Sequence, residues 1–215
     1  MTHNQQGVGL IEVMVAVLLL SVAVLGFSAL QMRAVSATDE SLVRTKSLTI
    51  VRNLAEVMRA YPEAYVTGSG STFTSAASNA TDAVPTIQAV MSSSATNTVS
   101  IDGESIGILA SDNNCLSTAV DTDDDGNKIP KQSCNINQLA ARDALMVKKI
   151  AADEQIKVAV VMCPGTSVQA IQKQMCVITA WKDTKALLDD TDSEACADAN
   201  GVYKTGSHCV ISEAY

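Results

Sequence analysis

The sequence predicts an α+β protein: a long N-terminal helix, apolar in its first half and amphipathic in its second, packed on a small antiparallel sheet with disulfides. Three observations predict it. Residues 7–26 read GVGLIEVMVAVLLLSVAVLG, almost wholly apolar. Residues 33–61 continue at helical period with polar positions interleaved. Farther on, two β-branched runs, QIKVAVVMC and MCVITAWKD, flank a segment that starts with turn residues, and all 6 cysteines lie in the second half of the chain.

From Val13 to Leu30 only Ser21, Gly26 and Ser28 interrupt the apolar run. Eighteen residues of helix rise about 27 Å, close to the hydrocarbon thickness of a bilayer. A secretory signal has a shorter apolar core followed by a small-x-small site, and the flank SALQMRAVSATDE instead continues in helix formers. Glu12 is the anomaly. A carboxylate facing lipid at mid-helix costs about 2.5–3.5 kcal/mol, less near the end of the span. Glu12 therefore reads either as an interfacial residue or as a group awaiting a cation from elsewhere. Cutting after Gly7 would supply one, the free amine of Val8, one helical turn before Glu12.

These residues resemble a known family. The stretch G-V-G-L-I-E-V resembles the class III signal of type IV pilins and type II secretion pseudopilins. The resemblance implies that a prepilin peptidase cuts after Gly7, that Val8 becomes the N-methylated first residue, and that Glu12 pairs with the Val8 ammonium of a neighbour when helices stack into a fibre. An unpaired buried charge is costly, and a paired one sets register. The chain departs from the family in two places: Val8 stands where Phe or Met is usual, and the leader MTHNQQG lacks Lys and Arg. The implied organisation is a leader at 1–7, a transmembrane and assembly helix at 8–32, an amphipathic helix of the head at 33–61, and a globular periplasmic, later extracellular, head at 62–215.

Val43, Ile50, Leu54, Val57 and Tyr61 form one stripe, widened by Val51 and Met58, and Pro62 ends the helix. The segments GLIEVMVAVLLLSVAVLGFSALQ and RNLAEVMRAYPEAY resemble the PilV type of minor pilin, with Tyr61 where that family carries Asn. A weaker likeness returns at Cys134, LAARD and ITAWKD.

Residues 66–100 are rich in Ser, Thr, Ala and Gly and read as an irregular connection with a short helix near PTIQAVMSS. SIDGESIGILASDNNC offers a short strand. Residues 135–154 read as a helix capped by Asn135, with Ile136, Leu139, Ala140 or Asp143, and Val147 on its apolar side. The two β-branched runs make an antiparallel hairpin in which Cys163 and Cys176 can join the strands. Six cysteines allow many connectivities. The expected one is sequential, Cys115–Cys134, Cys163–Cys176 and Cys196–Cys209, and the last would close a C-terminal loop of a kind common among pilins. The absence of any CxxC pair weakens a zinc reading, and disulfides imply an oxidising compartment.

Asp121, Asp123, Asp125 and Gly126 match the start of a calcium loop. Gln132 stands where the bidentate Glu belongs, and no helix signal precedes the loop, so the same residues also read as a solvated acidic turn. No other cofactor is expected. No phosphate loop, HExxH or GxSxG motif is present, which argues against an enzyme. A formal net charge of −8, from 15 Lys+Arg and 23 Asp+Glu, leaves no footprint for nucleic acid.

Three function classes remain. The first is a minor pilin of the type IV pilus, supporting assembly initiation and tip display for adhesion or twitching motility. The second is a pseudopilin of a type II secretion system. The third is a membrane-anchored periplasmic binding protein. The first implies major and minor pilins, the prepilin peptidase and the inner-membrane assembly machinery as partners. It also implies a single-pass inner-membrane precursor that later joins the pilus on the cell surface.

Overall fold

The computed structural model describes residues 9–109, 119–130, 133–164 and 174–214. The chain divides into two units, Met1–Thr45 and Lys46–Tyr215. Helix α1, Leu10–Ala60, supplies most of the first and opens the second. Within the first unit its apolar side chains from Leu10 to Leu42 lie in solvent, and Val43 is half-buried. Its hydroxyls are satisfied internally: Ser21 Oγ donates to the Val17 carbonyl at 2.8 Å and Ser28 Oγ to the Val24 carbonyl at 2.9 Å. Such back-bonding lets a serine sit in an apolar helix without an orphan donor.

Within the second unit α1 buries Ser47, Ile50, Val51, Leu54, Ala55 and Met58. The centre of the buried face is therefore rotated from the expected stripe: Val57 and Tyr61 are only half-buried, while the small residues Ser47 and Ala55 are buried.

Residues 66–100 are more regular than their composition suggests. β1, Tyr65–Ser69, pairs antiparallel with β2, Thr72–Ala76, and with β3, Val84–Pro85. Helix α2, Thr86–Ser92, falls where the short helix was expected. β4, Thr98–Ile101, lies parallel to β2 and antiparallel to β5, Glu104–Gly107, giving the sheet order β3-β1-β2-β4-β5. Thr and Val carry these strands by β-branching rather than by bulk, and few large side chains, among them Val66, Phe73, Val99, Ile101 and Ile106, anchor the sheet. The β4–β5 hairpin turns on Asp102-Gly103, both at positive φ, as a two-residue turn requires.

β6, Val120–Thr122, and β7, Lys128–Pro130, form a separate hairpin. Helix α3, Ile136–Asp153, follows, with Asn135 as N-cap in a full capping box with Gln138. Its buried face is Ala140, Ala141, Ala144, Leu145, Val147 and Ala151, while Ile136 is exposed. Alanines let α3 approach α2 closely, and that decides which side turns inward.

β8, Lys157–Met162, and β9, Met175–Ala180, are antiparallel, and β9 is buried along its whole length. β10, Lys185–Leu188, and β11, Ala195–Ala197, make a short parallel pair. β12, Cys209–Glu213, returns against β9, so the three-stranded sheet runs β12-β9-β8.

Candidate functional site

The assembly-type features gather at the start of α1. The amides of Glu12 and Val13 donate to the Gly9 carbonyl at 2.9 and 3.4 Å, so Glu12 sits exposed in the first turn. A carboxylate there complements the positive end of the helix dipole. Between Leu10 and Met32 it is the only charged side chain. The helix that follows it presents bare hydrocarbon: Leu18, Leu19 and Leu25 are 66%, 67% and 70% exposed. By length and composition α1 suffices to cross a membrane. Gly7 and Val8, the expected cleavage and methylation positions, lie outside the described residues.

In the second unit a polar network ties α3 to the five-stranded sheet and α2. Asp102 accepts from the Ser75 amide at 2.8 Å, the Ser75 hydroxyl at 2.6 Å and Asn135 Nδ2 at 2.9 Å. Asn137 Nδ2 donates to Ser75 Oγ at 2.9 Å, and the buried Thr86 hydroxyl donates to Asn137 Oδ1 at 2.7 Å. Burial alone would raise the Asp102 pKa, but the bonds from Ser75 and Asn135 outweigh it and leave it below the ordinary carboxylate value. Of these residues only Asn135 stands out in the sequence, as an N-cap. The Asp-Gly hairpin turn was the signal that could have pointed to Asp102.

Two stretches that carry the pilin resemblance meet here. Tyr61, ending α1, donates from its phenol to Asp143 Oδ2 at 2.9 Å, and Arg142 Nη1 holds the other oxygen at 2.8 Å. Burial and the Asp143 bond both raise the Tyr61 pKa. Lys46, also on α1, forms an ion pair with Glu154 just beyond α3.

Cys163 is bonded to Cys176, with Cα atoms 4.8 Å apart, and so staples the end of β8 to β9. Cys196 is bonded to Cys209 at a Cα separation of 5.8 Å, which joins β11 to β12. These are two of the three sequential pairs. The third, Cys115–Cys134, includes Cys115, which lies outside the described residues. Near the second bridge Trp181 is buried, with its ring 6.4 Å from that of His208. His208 is half-buried rather than free on the surface.

Asp121, Asp123 and Asp125 lie on the β6–β7 hairpin. Asp123 Oδ1 accepts from the amides of Asp125 at 3.0 Å and Asn127 at 2.7 Å, and its Oδ2 accepts from Asn127 Nδ2 at 3.1 Å. Bonds from Asn127 are the main reason its pKa lies below the ordinary value. Asp121 Oδ1 accepts from the Thr122 amide at 2.9 Å. Among the described residues no group of three or more His, Cys, Asp or Glu is arranged to hold a metal. The turn itself accounts for the position of Asp123.

A long N-terminal helix with bare apolar surface, followed by an antiparallel sheet and two disulfides, defines a pilin-type fold. The chain belongs to the Tt1218-like family of type IV pilins, whose model, described as type IV pilin Tt1218, matches residues 29–145. The prokaryotic N-terminal methylation motif matches residues 2–28, a range that includes Gly7, Val8 and Glu12. Comparison with curated proteins gives no match, and comparison with solved structures gives none. Family and motif together support a pilin or pseudopilin function, with processing by a prepilin peptidase, anchoring in the membrane and other pilins as partners. The family is structural rather than enzymatic.

Proposed function

We propose that the chain is a PilV-like minor pilin that helps initiate the type IV pilus and presents its head at the fibre tip, for adhesion or twitching motility. The observation that carries this reading is the solvent-exposed apolar helix with one carboxylate, Glu12, in its first turn, inside a matched methylation motif. In this reading the peptidase cuts after Gly7, Val8 is methylated, and the head faces the periplasm before assembly. Glu12 meets the Val8 ammonium of a neighbour, which removes the cost of burying either charge alone. The mass of the N-terminal peptide from native membranes tests the first step. A peptide starting at Val8 and heavier by one methyl group is expected, and a start at Met1 or Thr2 would overturn it. For the second step, Glu12→Leu is expected to insert normally and to fall roughly tenfold or more in sheared pili, in line with an unpaired buried charge. Parent-level incorporation would rule the pairing out.

A pseudopilin of a type II secretion system shares every N-terminal feature. Loss of secretion with intact pili on deletion would favour it. A membrane-anchored periplasmic binding protein accounts for the helix but gives the methylation motif no use. Calcium at Asp121, Asp123 and Asp125 is a separate reading of the acidic hairpin. It requires a melting temperature that drops when EDTA is added, and superimposable curves would remove it.

A further inference from the structure

The turn after β9, the start of β11 and the turn before β12 enclose a polar cleft of about 210 Å³. Pockets for drug-sized molecules run to about 300–1,000 Å³, so this one suits a group of a single ring. Its walls are tied together. The Cys196–Cys209 bridge joins β11 to β12. The Thr184 amide donates to the Trp181 carbonyl at 3.3 Å, and the Lys185 amide to the Glu194 carbonyl at 2.7 Å. Thr184 lines the cleft and is only 6% exposed. Its Oγ1 accepts from the His208 amide at 2.8 Å, and its hydroxyl proton has no acceptor among the described residues. Asp183, Ser193, Glu194 and Ser207 line the same cleft. The side chains of Asp183, Ser193 and Ser207 make no hydrogen bond to the described residues. Lys185 Nζ lies 2.8 Å from Asp192 Oδ2 and 3.0 Å from Glu194 Oε2. That pairing offsets part of the charge, and holds the Glu194 carboxylate with Oε1 left to accept.

The cleft thus gathers two carboxylates, which only accept, and three hydroxyls, which donate as well. An anion would meet the carboxylates of Asp183 and Glu194. Among the described residues no three of His, Cys, Asp or Glu converge to hold a metal, so Asp183, Glu194 and His208 do not form such a set. An ammonium group brings donors alone, and offers nothing to the hydroxyl protons of Thr184, Ser193 and Ser207. A sugar hydroxyl both donates and accepts, and a ring carries several of them. From this match we infer that the cleft binds one ring of a saccharide, with Asp183 and Glu194 accepting from its hydroxyls and Thr184, Ser193 and Ser207 donating to them. The inference goes beyond the fibre reading, since the cleft is built wholly within the second unit and keeps its chemistry wherever the chain is assembled.

The test uses the full-length chain in a detergent without a sugar head group. Saturation-transfer NMR is recorded with the methyl glycosides of glucose, galactose, mannose and N-acetylglucosamine. Transfer to the ring protons of at least one glycoside is expected. Asp183→Ala, and Ser193→Ala combined with Ser207→Ala, should each weaken its binding roughly tenfold or more, as loss of hydrogen bonds to a ligand predicts. These side chains make no bond within the described residues, so both variants should melt like the parent. Thr184→Ser, which keeps the buried hydroxyl, should retain binding. Absence of transfer to every glycoside would overturn the inference. So would parent-level binding in both variants, which would put the sugar elsewhere on the chain. Putrescine that displaces the bound glycoside would reassign the cleft to cations, and inorganic phosphate that does so would reassign it to anions.

Discussion

Asp189 shows how much one exposed carboxylate can organise. Its Oδ1 accepts from the Thr191 hydroxyl and amide, both at 2.7 Å, and from the Asp192 amide at 2.9 Å. The Thr191 hydroxyl bond comes first among the causes that lower its pKa from 3.8 to about 2. The folded pKa lies below the unfolded one, so this contribution is complete above about pH 4 and is lost as pH falls toward 2. Asp102, Asp123 and Asp192 are also lowered and act in the same direction. Unfolding midpoints recorded between pH 5 and pH 2 should fall with acid, and Asp189→Asn should make that fall shallower. An unchanged slope would remove Asp189 from the account. Residue-level readings from sequence were uneven. Glu12 stood out because a charge in hydrocarbon is conspicuous. Asp102 and Asp189 did not, because an Asp beside Ser, Thr or Gly is ordinary until the fold brings donors to it.

At the scale of elements, caps and periods were the legible signals. Asn135 was readable as the start of α3, and its Oδ1 accepts from the Gln138 amide at 2.8 Å. It also donates to Asp102, so Asn135→Ala should cost about 1–2 kcal/mol in urea unfolding. A loss within error would mean that water replaces both bonds. Long β-branched runs announced β8 and β9 in the same way. The five-stranded sheet was read as irregular because TFTSA and TVSI are short and poor in bulk. Their strand character comes from pairing across the sheet and from Phe73 and Ile101 packing inward. The rotation of the α1 face has a similar origin: period locates a stripe, but neighbours choose its centre.

For the whole molecule, the two described disulfides carry much of the cohesion of the C-terminal third. Each bridges a sequence separation of 13, and closing a loop of this size is worth about 3 kcal/mol in chain entropy. Replacing Cys196 and Cys209 together by Ser should lower unfolding stability by about 2–4 kcal/mol while membrane insertion of α1 is unchanged. Equal stability of the oxidised parent and the double variant would contradict that share.

By itself the sequence determined the membrane-length helix, its lone carboxylate, the processing-type motif and the hairpin of β8 and β9. Each of these depends on neighbours along the chain, through hydropathy, spacing or β-branching. Only the tertiary structure decided the order of the five-stranded sheet, the return of β12 onto β9, the meeting of Tyr61 with Asp143, and the network around Asp102. Those contacts join residues tens of positions apart, 82 in the case of Tyr61 and Asp143, and their energy depends on burial and donor geometry that no local pattern encodes.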